Sequence, residues 1–255
     1  MSLVTYRSIG RLGNQIFQLS ASIGYAKKHG MRWAAPSNTR ETPAFHQYFP
    51  GLPKTGGQSG RRYEAHDPSM FGYREIPHFP EGITMVGFFQ SLKYFENAQD
   101  EVRQALNLKY AEGYEDYVSI HVRRGDYVQN ANSFPPITED YIDSALAQIK
   151  RSGTDFTKVI FFSDDIQWCI DKFPSLGRVT CHYSKGRSEY EDLCLMASCG
   201  HHVIANSTFS WWGAWLGRNP NKIVVSPHHT SWFGPNGPTD TKDLIPDSWH
   251  QIKFR

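Results

Sequence analysis

The residues of this chain with the clearest capacity for chemistry form one run, His121-Val122-Arg123-Arg124-Gly125-Asp126-Tyr127. Alternating apolar residues precede the run, so it stands at the end of a predicted strand, where His121 and Arg123 share one face. A guanidinium presents a rigid fork of donors that grips phosphate oxygens, and it keeps its charge. Two arginines at a strand end therefore suit a diphosphate, including one that leaves with developing negative charge. The alternative is a surface turn whose arginines only form structural ion pairs.

A second segment, residues 203–212, predicts a strand that leads into a helix beginning with hydroxyl side chains. The backbone N–H groups and the dipole at such a helix start attract an anion. The alternative is ordinary capping of the helix by the side chain of Asn206 or Ser207, which needs no ligand.

Two weaker segments also follow predicted strands. Residues 10–13 form a glycine-rich turn before a helix, but they match neither G-x-G-x-x-G nor a Walker A loop. The acidic pair Asp164 and Asp165 could bind a metal, a ribose or a guanine edge, or it could cap the next helix.

The net charge, the motifs that are absent and the His and Cys positions exclude several classes of function. A formal net charge of +2 gives no bulk attraction for nucleic acid. The chain has no D-x-D, H-E-x-x-H or G-x-S-x-G motif. The pairs His201-His202 and His228-His229 are interpreted as structural or surface residues, because adjacent residues of a strand face opposite ways and cannot share a metal. The four cysteines match no zinc spacing and are interpreted as reduced thiols. We therefore predict no metal site.

Alternating strands and helices must position these segments, which predicts an α/β fold. The predicted strands are residues 3–8, 83–89, 117–123, 159–162, 202–205 and 223–226. The predicted helices are residues 14–29, 93–106, 138–151, 166–173, 188–198 (opened by a capping box of Ser188 and Glu191) and one that starts at 206. Residues 36–80 are predicted to be irregular, with a few short elements.

The order of elements predicts two halves, residues 1–110 and 111–255, with a cleft between them. In open α/β sheets ligands bind outside the carboxyl ends of the strands, which is where the segments above fall.

Taken together, the segments resemble glycosyltransferase family eleven, the α-1,2-fucosyltransferases, in its bacterial form. The runs that carry the resemblance are G-R-L-G-N-Q at 10–15, G-F-F-Q-S-L-K-Y-F at 87–95, H-V-R-R-G-D-Y at 121–127, F-S-D-D at 162–165 and N-S-T-F-S-W-W-G-A-W-L at 206–216. The resemblance implies a GT-B-like fold of two Rossmann-like halves facing a central cleft, the first on the acceptor side and the second binding the donor. It also implies a GDP-β-L-fucose donor, inversion at the transferred sugar, and neither metal nor other cofactor.

By the same resemblance, Arg123 contacts the donor diphosphate with support from Arg124, and His121 shapes the guanosine pocket. The remaining expected donor contacts are Asn14 from the first half, Asp165 and Asp192 at the nucleoside, and Ser207, Thr208 and Ser210 at the phosphates. Asp126 is the candidate general base for the acceptor hydroxyl. Its alternative role is an ion pair that orients Arg123 or Arg124.

The expected acceptor is a glycan with a terminal galactose, and residues 36–80 and 227–255 are expected to select it. With no signal peptide or membrane span in the sequence, we expect a cytoplasmic protein with at most peripheral membrane contact; a trimmed Golgi anchor is the alternative. The rival functions are a fucosyltransferase of another linkage, a GDP-mannose transferase, a glycan-binding lectin and a GDP-binding regulator.

Overall fold

The computed structural model of this chain describes residues 2–65 and 71–254. The chain divides into two compact units, Met1–Leu108 with Asp240–Leu244, and Lys109–Thr239 with Ile245–Arg255. The division after Leu108 falls two residues before the predicted one. The sequence did not indicate that five residues near the C-terminus belong to the first unit.

The first unit is built on a parallel sheet. Its described elements are β1 (Leu3–Tyr6), α1 (Leu12–His29), β2 (Arg32–Trp33), β3 (Ala35–Pro36), α2 (Phe45–Tyr48), β4 (Lys54–Thr55), β5 (Arg61–Glu64), β6 (Ile83–Val86) and α3 (Gln99–Leu106). Four strands form a sheet in the order β2-β1-β6-β5, and β3 pairs with β4; every pairing is parallel. The stretch 36–80, predicted as irregular with a few short elements, contributes the four-residue strand β5 to the main sheet. Residues 66–70 of this stretch lie outside the described residues.

Helix α1 is buried along most of its length, including polar residues such as Gln15 and Gln18. It ends at Gly30, whose left-handed conformation (φ 63°, ψ 33°) suits a residue without a Cβ. Lys27, Lys28 and His29 stand in its last turn, where positive charge complements the helix dipole.

Two elements of the first unit were predicted in the right place but too long. The strand predicted at 83–89 ends at Val86, because Gly87 (φ 153°) and Phe89 (φ 51°) leave the extended conformation. The helix predicted at 93–106 begins instead with 3-10 turns at Leu92–Tyr94 and Glu96–Ala98, and only then becomes α3. The first turn packs so closely on α1 that a Cβ at Gly24 would overlap its backbone.

The second unit carries a larger sheet. Its elements are β7 (Tyr117–Val122), α4 (Gly125–Gln129), α5 (Glu139–Arg151), β8 (Lys158–Ser163), α6 (Ile166–Lys172), β9 (Thr180–Tyr183), α7 (Glu189–Ser198), β10 (His201–Val203), α8 (Thr208–Leu216), β11 (Val224–Pro227) and β12 (His250–Ile252). The six strands are all parallel, in the order β12-β11-β10-β7-β8-β9. The α/β class with parallel sheets is therefore confirmed.

The register of this sheet brings distant parts of the chain to one edge. Val122 pairs with Ser163, and Ile120 pairs with Val203, so β7, β8 and β10 end near the same level. Since parallel strands share a direction, the residues that follow them lie along the carboxyl edge of the sheet, where α/β proteins bind ligands. None of the described helices is both long and apolar enough to cross a membrane.

Candidate functional site

Arg123, the first residue after β7, is held by two carboxylates. Its Nη1 lies 2.8 Å from Oδ2 of Asp164, and its Nη2 pairs with Asp126. The guanidinium carbon is also 5.5 Å from the ring centre of Tyr127. The side chain of Arg123 is 18% exposed, whereas that of Asp126 is 48% exposed. The guanidinium is therefore oriented from the protein side while part of it still reaches solvent.

Arg124 is fixed by the segment after β8. Its backbone N–H donates to Oδ1 of Asp164 over 2.9 Å, and its Nε lies 3.1 Å from Oδ2 of Asp165. The guanidinium carbon stands 4.2 Å from the ring centre of Trp168, a cation–π distance. Gly125 makes this packing feasible, because a Cβ at that position would overlap Oδ2 of Asp164.

Asp165 fulfils the capping alternative left open by the sequence. Its Oδ1 accepts from the backbone N–H of Trp168 (3.3 Å) at the start of α6, and its Oδ2 holds Arg124. Asp165 therefore orients Arg124. Its side chain is 42% exposed, and the expected nucleoside contact stays a prediction.

His121 is buried and neutral. Burial and, secondarily, the positive charge of Arg123 lower the pKa of His121 to about 3. Its Nδ1 lies 2.9 Å from the hydroxyl of Ser210, and its ring packs on Phe209 with 5.5 Å between centroids. Ser210 has no exposed surface, so its hydroxyl cannot contact a ligand from outside. The expected phosphate contact of Ser210 is therefore corrected: it positions His121.

Helix α8 begins without the predicted cap. Ser207 occupies the N-cap position but its side chain makes no capping hydrogen bond. The amide nitrogen of Asn206 donates instead to the carbonyls of Pro135 (3.0 Å) and Trp232 (2.9 Å). Both capping alternatives were wrong. A helix start without a side-chain cap retains the anion-attracting character that the sequence suggested for Ser207 and Thr208.

Asp192 lies in the first turn of α7, close to the end of β9. It accepts a hydrogen bond from the hydroxyl of Ser184, and Arg187 donates to that hydroxyl over 3.1 Å. Burial raises the pKa of the Asp192 carboxyl, and the hydrogen bond from Ser184 opposes the rise. The capping box of Ser188 and Glu191 at the start of this helix is confirmed.

In the first unit, Asn14 sits on the first turn of α1. Its Oδ1 accepts from Nε2 of Gln90, 2.9 Å away. The side chain of Gln18 clamps the backbone N–H and carbonyl of Ile9 at 3.2 and 2.9 Å. Gly10 has φ 76°, and a Cβ there would overlap the amide of Asn14. The glycine-rich turn is thus rigidly held, and it presents an Asn14–Gln90 pair.

A family model for glycosyl transferase family 11 matches residues 2–233. The chain belongs to this family. It is 32% identical over 188 residues to an alpha-1,2-colitosyltransferase of Escherichia coli, covering 67% of this chain and 63% of that one. It is 27% identical over 237 residues to the galactoside 2-alpha-L-fucosyltransferase SEC1 of Bos taurus, covering 83% and 64%. These matches span less than two thirds of the relatives' own lengths.

Among solved structures, NodZ alpha-1,6-fucosyltransferase soaked with GDP-fucose is similar, with a TM-score of 0.50 and 15% identity. The match covers 88% of this chain and 94% of that one. At this identity the likeness shows a shared fold.

Several residues of this family 11 chain were missed by sequence reasoning. Asp164 was considered only as a metal, nucleoside or capping residue, whereas it joins both arginines. Trp168, Ser184 and Gln90 carried no motif that separated them from core residues, although Gln90 lies within the family-like run 87–95.

The cysteines and histidines were the residues considered as metal ligands. All four cysteines are free. His202 is buried with its Nδ1 2.8 Å from the Ser119 hydroxyl, a structural position. Within residues 2–65 and 71–254, no three His, Cys, Asp or Glu side chains cluster as a metal site would require.

A cavity of about 450 Å³ lies in the first unit, lined by Tyr25, Tyr73 and Tyr94 among others. It borders the second half of α1, from Ala21 to Lys28, whereas the glycine-rich turn precedes the first half. The cavity is therefore displaced from the carboxyl edge of the first sheet.

Proposed function

We propose that this family 11 protein transfers L-fucose from GDP-β-L-fucose to a hydroxyl of a galactoside, with inversion, to form an α-1,2 linkage. The observation that carries the proposal is the anchored pair Arg123–Arg124 at the carboxyl edge of the second sheet, beside the start of α8. Two relatives bear α-1,2- or 2-alpha-transferase names, which supports the linkage. The two units would be the acceptor and donor halves of a GT-B fold.

In this proposal the donor diphosphate binds Arg123 and the first turn of α8. The diphosphate would compete with Asp126 for Nη2 of Arg123, since the Asp126 pair is the more exposed of the two carboxylate contacts. When the bond between fucose C1 and the phosphate oxygen breaks, its electron pair moves to that oxygen. A fixed guanidinium and helix N–H groups stabilise this charge without reorganising. Ser207 and Thr208 would adjoin the phosphates.

The nucleoside would bind between β7 and α7. His121 is neutral and held by Ser210, so it offers an imidazole of fixed orientation without adding charge. The Asp192 carboxylate would accept the paired N–H donors of guanine, which adenine lacks. Asn14, held by Gln90, is proposed to contact the substrates from the first unit.

The acceptor hydroxyl must lose a proton during transfer. Asp126, once displaced from Arg123, would be a free carboxylate beside the diphosphate and is the proposed general base. Attack on the face of C1 opposite the phosphate converts the β-linked donor into an α-linked product. The scheme uses only side-chain charges and the backbone N–H groups at the start of α8, so the proposal invokes no metal or other cofactor.

The test is an assay with GDP-fucose and lactose in the presence of EDTA, following GDP release and identifying the product. We expect a trisaccharide with fucose α-1,2-linked to galactose. Arg123→Ala should lower kcat/KM by at least a hundredfold, because one charge-stabilising donor is worth about 10²–10³ in rate. Arg151→Ala, on the exposed end of α5, is the matched control and should be unchanged.

The assay also separates the rivals. GDP released without product would uphold the donor and reject lactose as acceptor. GDP binding without turnover would favour a regulator, and glycan binding indifferent to GDP would favour a lectin. Failure to bind GDP-fucose would overturn the proposal. The 32% identical relative names colitose as a second candidate sugar, which kcat/KM for GDP-colitose and GDP-fucose would rank.

A further inference from the structure

Two exposed apolar side chains lie close to Arg123 in the sequence. Across residues 2–65 and 71–254 the large apolar side chains that stand exposed are Val128 (50%) and Phe134 (37%). Both lie within twelve residues of the arginine pair.

Phe134 belongs to a chain of stacked groups that starts at Arg123. Its ring stacks on Tyr127, with 5.2 Å between centroids and 24° between planes, and it meets the edge of Phe233 at 5.8 Å. Tyr127 in turn lies beneath the Arg123 guanidinium. We call Tyr127, Phe134 and Phe233 the aromatic patch.

The aromatic patch is built into the second unit. The Tyr127 hydroxyl donates to the carbonyl of Asn206 over 2.9 Å, which ties the patch to the turn before α8. The backbone N–H of Gly234 donates to the carbonyl of Ser133 at 2.9 Å, and a Cβ on Gly234 would overlap the carbonyl of Asn132. Two loops are thus packed backbone to backbone, holding Phe134 at the surface.

We propose that the aromatic patch is the subsite for the transferred sugar and recognises the C6 methyl group of a 6-deoxyhexose. This inference rests on the proposed function, since it takes Arg123 as the diphosphate ligand. The sugar is bonded directly to the β-phosphate, so it must lie close to a neighbour of Arg123. Besides the two carboxylates that hold Arg123, its described neighbour is the ring of Tyr127. The carboxylates that could accept sugar hydroxyls pair with Arg123 and Arg124, whereas the two rings stacked beyond Tyr127, Phe134 and Phe233, have no polar side-chain atom.

An apolar subsite should prefer a 6-deoxyhexose over the hexose that carries a hydroxyl on C6. Covering a methyl group with aromatic carbon removes apolar surface from water, which is favourable. A hexose carries a hydroxyl on the same carbon, and that hydroxyl would lose hydration without a partner on an apolar ring. An apolar surface discriminates against an added hydroxyl by roughly 10²-fold at most.

The experiment compares GDP-L-fucose with GDP-L-galactose, which differs from it by the C6 hydroxyl. We expect the wild-type protein to prefer GDP-L-fucose in kcat/KM by about 10- to 100-fold. Phe134→Ser should reduce the preference to about threefold or less, by slowing fucose transfer. Phe134→Leu, which keeps an apolar surface, should retain most of it. Val128→Ser is the matched control and should leave the ratio unchanged.

Two outcomes would overturn the inference. One is a wild-type protein that uses both donors equally well, a result that needs no variant. The other is a folded Phe134→Ser variant whose ratio of kcat/KM for GDP-L-fucose to kcat/KM for GDP-L-galactose equals that of wild type. This outcome includes a variant in which only the KM of the acceptor rises. Binding of GDP alone, measured by calorimetry, should be the same in Phe134→Ser because GDP has no sugar. If wild type binds GDP and transfers fucose without selectivity, the proposed function stands and the inference fails; if it binds no GDP, both fail.

Discussion

The carboxylate of Asp126 has two candidate roles, as the ion-pair partner of Arg123 and as the general base. It pairs with Arg123 three residues back on the chain, and its side chain is half exposed. A diphosphate bound to Arg123 would take over that pairing, because two negative groups compete for the same Nη2 donor. The displaced carboxylate would then lie beside the reacting centre.

Asp126→Asn separates these roles. An amide cannot take a proton, so we expect kcat to fall by about 10²–10⁴, the usual range for loss of a general base. GDP should bind no more weakly than to wild type, because a neutral amide competes less for Arg123. Turnover with GDP-fucose and lactose and calorimetry with GDP measure the two effects. Asp155→Asn, on an exposed loop, is the control. A kcat within tenfold of wild type would leave Asp126 as an ion-pair partner alone.

At the residue scale, local sequence patterns identified Arg123 and Arg124 but not the side chains that orient them. Arg123, Arg124 and Asp126 stand in one short run and could be predicted from residue type and spacing. Their anchors could not, because Asp164 is forty residues away and reaches Arg124 only through the pairing of β7 with β8. Likewise, the bond between Ser210 and His121 spans most of the second unit.

The element that sets the arginine geometry is the short helix α4, which starts at Gly125. Gly125→Ala would place a Cβ where Oδ2 of Asp164 lies, so Asp164 must move away from Arg123. We expect kcat/KM for GDP-fucose to fall at least tenfold, since misplaced donors stabilise the departing phosphate poorly. Gly51→Ala, where a Cβ meets open space, should have no effect. Equal activity of the two variants would show that the Asp164 contact does not matter, and circular dichroism should show both folded.

Among the elements, the buried ones were predictable. Strands β7 and β8 are buried on both faces and rich in Val, Ile and Phe, so their sequences carry a strong signal. Strands β5, β9 and β12 are largely exposed or half-buried and short, and the sequence did not predict them. The 3-10 turns at 92–98 exist because the chain must fit against Gly24 of α1, a tertiary constraint without a local pattern.

At the scale of the whole molecule, alternating elements predicted two α/β halves, but not the return of Asp240–Leu244 to the first unit. Those five residues have no periodicity. They are held by specific contacts: Asp243 accepts from the backbone N–H of Tyr73 over 2.9 Å and pairs with Lys93. Such contacts depend on groups that are far apart in the sequence and meet only in the folded unit, so no local sequence pattern predicts them.

The stability of the second unit should fall in mild acid, because two of its histidines are buried and neutral. Burial is the main cause that lowers the pKa of both His121 and His202 to about 3. Below the unfolded pKa of about 6.5, the unfolded chain binds protons that the folded unit cannot, so stability rises with pH between about 3 and 6.5 and is constant above. Each histidine contributes a slope of about 1.4 kcal/mol per pH unit, or about 2 kcal/mol lost at pH 5.

His202→Asn tests this slope. An amide group can replace Nδ1 in the contact with the Ser119 hydroxyl but does not titrate, so its variant should lose about 1.4 kcal/mol per pH unit less than wild type between pH 6 and 5. Urea unfolding at pH 5.0, 5.5, 6.0 and 7.0 measures the two slopes in a range where carboxylates stay largely ionised. The comparison of slopes is independent of any constant loss of stability that the substitution causes. Parallel slopes for the two proteins would show that His202 is protonated in the folded unit.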